Sequence, residues 1–120
     1  YQGLGGPGPH PYLNWEAEGR SVLDAARAAI AARPGQVANA VLVTGQSQGS
    51  GAAIGATRIA PAYAPGLGLK ATVATGVISR FPDAPHKVPP LSVTSPVFGM
   101  LLMRPRRWAR GWARWSTCRR

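Results

Sequence analysis

Apolar and polar positions follow two periods along this chain, and the change from one to the other marks the elements. Between Trp15 and Ala32, the residues Val22, Leu23, Ala26, Ala29 and Ile30 recur at helical spacing and form one apolar face. Asn14 stands where an N-cap belongs, Glu16 and Glu18 suit the positive end of the helix dipole, and Pro34-Gly35 stops the helix. Val37 to Thr44 holds the short apolar run Ala40-Val41-Leu42-Val43 between turn signals, which predicts a buried strand. A second helix is expected over Gln48 to Ala60, ended by Pro61, and a second strand over Ala71 to Ile78. Strand, helix and strand in that order predict a βαβ unit, hence a parallel sheet with a right-handed crossover.

The flanks read differently. Residues 1–13 hold four glycines and three prolines, so a loop is expected there. From Phe81 to Pro96 the prolines return and predict another loop, followed by a short apolar segment of unassigned type, Val97 to Met103. The apolar stretch Val88 to Met103 is broken by Pro89, Pro90 and Pro96, so no transmembrane helix is expected. Two regions follow: a body over 1–103 and an Arg/Trp-rich basic tail over 104–120.

Composition changes this picture only at the ends. With 120 residues and 45% hydrophobic content, the chain suits one domain with a modest core. The net charge of +10 comes mostly from the tail, where Arg104, Arg106, Arg107, Arg110, Arg114, Arg119 and Arg120 supply seven of the 14 basic residues. A nucleic-acid reading of the whole chain would rest on the tail alone, so no specific nucleic-acid partner is expected. Cys118 is the single cysteine and cannot close an internal disulfide. The first residue is Tyr1, with no basic and apolar leader ahead of it, which reads as a processed product or a piece of a longer reading frame.

The candidate chemistry sits at the junction of the first strand and the second helix. Gly45-Gln46-Ser47-Gln48-Gly49 fits the pattern G-x-S-x-G. Between a strand and a helix this pattern forms a nucleophile elbow, a turn so tight that the serine is strained and its hydroxyl is presented at the sheet's end. Gly45 and Gly49 are expected where a Cβ would clash, and Gly51, Ala52 and Ala53 keep the helix close to the sheet. The Gln48 N–H would face a carbonyl oxygen as it becomes an oxyanion. The glycine-rich loop over 1–13, through Gly3, would offer a second N–H; a plain connector explains that loop as well. No clustered His, Cys or acidic ligands stand together, so no metal or organic cofactor is expected.

Four segments, taken together, resemble the secretory lipase family, the α/β-hydrolases of the Candida antarctica lipase A type. They are Tyr1-Gln2-Gly3-Leu4-Gly5, Pro7-Gly8-Pro9-His10-Pro11-Tyr12-Leu13, Glu18-Gly19-Arg20-Ser21-Val22-Leu23-Asp24-Ala25, and the Gly45 to Gly49 motif. They agree in order and spacing over residues 1–80. The resemblance implies a partial α/β-hydrolase fold, a secreted or extracellular protein, a small ester or lipid substrate, Ser47 as nucleophile and Gln48 as an oxyanion-hole amide. It also implies an acid and a histidine on strand-end loops far beyond the elbow.

Within this chain only His86 and Asp83 follow Ser47 in the order serine, acid, histidine, and they share one Pro-rich loop. His10 is the other candidate base, with a structural role in its loop as the alternative. In the tail, Trp108, Trp112 and Trp115 would align on one helix face opposite Arg106, Arg107, Arg110 and Arg114, the pattern of an interfacial helix on a lipid surface. A shifted reading frame in a GC-rich gene produces the same composition. The reading is therefore a serine esterase or lipase acting through an acyl-enzyme on Ser47. Two alternatives stay open: an inactive hydrolase fragment that self-associates through open sheet edges, and a membrane-binding peptide driven by the tail.

Overall fold

The computed structural model describes residues 1–77, which fold as α1 (Trp15–Ala32), β1 (Val41–Gln46), α2 (Gln48–Tyr63) and β2 (Leu69–Thr75). The predicted loop, tail and apolar segment beyond residue 77 lie outside the described residues, as do Asp83, His86 and Ile78.

α1 has the predicted bounds. Its N-cap is Asn14, in the extended conformation at φ −88° and ψ 90°, whose side-chain oxygen accepts from the Ala17 N–H at 3.0 Å. Of the predicted apolar face, Leu23 is fully buried and Val22 packs beside it, but Ala29 is exposed. The buried residues of α1, Glu18, Gly19 and Leu23, all lie in its first half. Glu16 pairs with Arg20 at 2.6 Å on the exposed surface, a bond of little weight, whereas Glu18 is buried.

β1 starts later than predicted. Residues 37–40 are exposed loop, stitched to the turn after α2 by Asn39. Its Nδ2 donates to the Gly66 carbonyl at 2.8 Å, and its Oδ1 accepts from the Gly68 N–H at 2.7 Å. These side-chain bonds hold the backbone out of the ladder until Val41, whose N–H donates to the Gly68 carbonyl at 2.8 Å. Burial along β1 also corrects the expectation of a fully buried strand. Val43 is buried while Leu42 is 70% exposed, because the helices cover one face only.

α2 runs past Pro61 to Tyr63. The proline's missing N–H would have bonded the Thr57 carbonyl, and near a helix end that single loss is tolerated. The turn closes instead by the Ala64 N–H donating to the Ala60 carbonyl at 2.9 Å.

β1 and β2 pair in parallel, as the βαβ order predicts, from Val41↔Leu69 to Gln46↔Thr75, with an irregularity between Val41 and Leu42. α2 bridges the two strands on one face of this sheet and α1 packs on α2. The α1–α2 crossing is very close: a Cβ on Gly19 would overlap the backbone of Gly55 and Ala56, and one on Gly55 would overlap the Trp15 carbonyl. Gly51, expected to face the sheet, faces the Trp15 indole instead. Leu23, Ala56, Ala60 and Ala64 form the core, with Val22, Ile59, Tyr63, Leu67 and Leu69 around them. The described residues are thus a small α/β unit with two parallel strands and two helices on one side.

Candidate active site

The last residue of β1 and the first of α2 are separated by Ser47 alone. A chain that leaves a strand and enters a helix in one residue must turn within one pair of dihedrals. Ser47 does so at φ 52° and ψ −116°, outside the strand, helix and left-handed wells that side-chain-bearing residues occupy. Such a conformation costs on the order of 1–3 kcal/mol and persists only where its surroundings over-determine it.

Here they do. The Ser47 N–H donates to the Thr75 carbonyl at 3.0 Å, extending the parallel ladder by one residue. The Ser47 carbonyl accepts from the Ser50 N–H at 3.0 Å and from the Ser50 hydroxyl. Ser50 is fully buried, so this lock is shielded from water. Behind the turn the chain folds onto itself so closely that a Cβ on Gly45 would overlap the Gly49 carbonyl, which is why that position takes glycine. Gly49 does not share the reason. A Cβ there meets nothing within 4 Å, and the expected clash is absent among the described residues.

Ser47 occupies the N-cap position of α2, yet its side chain makes no capping bond. The residue is exposed, with its hydroxyl held at the sheet's end and uncommitted to the helix. The Gln48 amide stands next to it, at the open end of α2, where the first N–H groups lack helical partners and the helix dipole is positive.

The loop over 1–13 is built around its own histidine. His10 is buried, its Nδ1 lies 2.7 Å from the Gln2 carbonyl, and its ring sits edge-on between Tyr1 and Tyr12 at 6.0 and 4.4 Å. These contacts make His10 the structural centre of the loop. Gly3, at φ 73°, lies against the Pro9–His10 backbone where a Cβ would overlap. No hydrogen bond joins Gly3 to the elbow among the described residues.

One residue in the site carried no functional expectation. Glu18 is 2% exposed, and its Oε1 accepts from the Leu13 N–H at 3.1 Å and from Gln48 Nε2 at 2.7 Å. Burial pushes its carboxyl above the usual carboxylate range; the Gln48 and Leu13 hydrogen bonds and the neighbouring His10 pull the other way. Helical spacing from Asn14 places Glu18 in the first turn, which explains a dipole role as well as this one, so the sequence alone did not separate them.

Among the described residues no group of three or more His, Cys, Asp and Glu could hold a metal ion, and no helix is long and apolar enough to cross a membrane. Searches of curated proteins and of solved structures return no match. A family model described as secretory lipase matches residues 1–88, a span that takes in the 1–13 loop, both helices and both strands. The chain therefore belongs to the secretory lipase family, a family of carboxylic ester hydrolases whose name describes secreted enzymes.

Proposed function

We propose that this chain belongs to a serine esterase or lipase of the α/β-hydrolase fold, of the lipase A type, that cleaves carboxylic esters through an acyl-enzyme on Ser47. The observation that carries the proposal is the backbone of Ser47, at φ 52° and ψ −116° between a parallel strand and a helix, with a side chain that caps no N–H of α2. That conformation is costly, and a strand–helix connection without chemistry has no need of it.

In this mechanism Ser47 Oγ attacks the ester carbonyl carbon and its proton passes to a histidine base. The carbonyl oxygen becomes an oxyanion held by the Gln48 N–H at the positive end of α2. Collapse of the tetrahedral intermediate expels the alcohol, which takes the proton from the histidine. Water then attacks the acyl-enzyme by the same route, releases the carboxylic acid and restores Ser47. His86 and Asp83 are the proposed base and orienting acid, and the Gly3 loop the proposed second oxyanion donor. Secretion and a lipid or small-ester substrate accord with the family match over residues 1–88.

The test is hydrolysis of a short-chain p-nitrophenyl ester by the protein and by Ser47→Ala. Loss of at least about 10⁴-fold in kcat is expected, since removal of an acyl-transfer nucleophile typically costs that much or more. Equal slow rates in both would reject Ser47 as nucleophile.

A further inference from the structure

Glu18 is an anomaly in energetic terms. It is almost fully buried, its Oε1 serves two donors, and its Oε2 is buried with no partner among the described residues. A buried carboxyl with an orphaned oxygen destabilises, and an apolar residue of similar volume at such a place is often neutral or stabilising. Stability therefore does not explain a glutamate here. Its two bonds reach two different segments of the chain. Leu13 closes the glycine-rich loop and is itself at φ 62°, one of two residues with side chains at positive φ among those described. Gln48 opens α2 directly after Ser47.

We infer that Glu18 is a positioning residue: its single oxygen clamps the end of the 1–13 loop to the side chain of Gln48 and so fixes the Gln48 amide relative to Ser47 and to that loop. This inference rests on the ester-hydrolase reading of Ser47. A carboxyl oxygen suits the task because one acceptor takes both donors, which neither a hydrocarbon nor a Lys side chain does. The clamp sets the distance between the two halves of an oxyanion hole, and a displacement of an ångström there reaches the rate.

The experiment compares Glu18→Leu, Glu18→Gln, Gln48→Ala and the Glu18→Leu/Gln48→Ala double variant in the whole protein, by p-nitrophenyl ester kinetics and by amide hydrogen exchange. Glu18→Leu and Gln48→Ala should each lower kcat about tenfold or more while KM stays within about twofold, because positioning acts on the reacting geometry. Glu18→Gln keeps the shared oxygen and should restore kcat to within about threefold of the wild type. The double variant should be no slower than the slower single, as expected for two ends of one contact. In exchange, Gln48→Ala should speed the Leu13 amide, which Gln48 reaches through the shared Glu18 oxygen, and this arm stands even if Glu18→Leu does not fold. Wild-type kcat in folded Glu18→Leu, multiplying effects in the double variant, or an unmoved Leu13 amide in Gln48→Ala would each overturn the clamp. If the wild type hydrolyses the ester no faster than Ser47→Ala, the esterase reading fails instead, and the exchange arm alone decides the clamp.

Discussion

The two helices of this chain begin in opposite ways. α1 starts at Asn14, in extended backbone, with a side chain that satisfies the Ala17 amide at 3.0 Å. α2 starts at Ser47, in backbone that a side chain resists, with a hydroxyl that caps nothing. Serine and asparagine are both good N-cap residues, so residue type does not explain the difference. The surroundings do. Asn14 follows a loop and can adopt whichever dihedrals the cap prefers. Ser47 is held at one end by a ladder bond to Thr75 and at the other by Ser50, and must turn the chain within its own two dihedrals. The first start lowers the energy of the fold. The second raises it and leaves a hydroxyl exposed beside an open helix end.

Substitutions at the two positions should therefore move stability in opposite directions. The larger effect is expected at Ser47. Glycine there relieves the positive φ, and after the cost of glycine's own chain entropy a net gain of about 1–2 kcal/mol should appear in urea denaturation. A destabilised Ser47→Gly would mean that the turn is unstrained. Asn14→Ala should lower stability by about 1 kcal/mol in the same assay, the usual worth of an N-cap. An unchanged midpoint there would remove the contrast.

A smaller effect should appear in the pH dependence. The folded state raises the Glu18 pKa above its ordinary 4.5, so the folded chain binds more protons than the unfolded chain near that pH. Stability from this group is present below pH 4.5 and is lost as pH rises from there through the raised value. Thermal denaturation across that window should show the slope in the wild type and lose it in Glu18→Gln. A slope of the opposite sign would mean that the carboxyl is stabilised in its ionised form.

The core face and the bare face of the sheet show what pattern reading sees and what it does not. Val41, Leu42 and Val43 are equally apolar in sequence, and their run reads as a strand buried on both sides. In the fold Val43 is covered by the helices, while Leu42 at 70% and Val73 at 52% exposure point away from them. Apolar runs report that a strand is meant to be covered; which face these helices cover is settled by where α2 crosses.

Local chemistry determined a good part of this protein in advance. The bounds of α1, its Asn14 cap, the parallel order of the strands and the position of Ser47 between strand and helix all follow from spacing, propensity and turn residues within a few positions of each other. The resemblance carried the family, because four motifs keep their order over residues 1–80. What only the tertiary structure decided involves residues distant in sequence. Asn39 trims β1 through a bond to Gly68, Thr75 holds the strained turn at Ser47, and Glu18, bonded to Leu13, reaches Gln48 across 30 positions. A carboxyl in the first turn of a helix satisfies the dipole wherever its side chain points. Only the packing of α1 on α2, close enough to exclude a Cβ at Gly19, turns Glu18 inward and delivers it to Gln48.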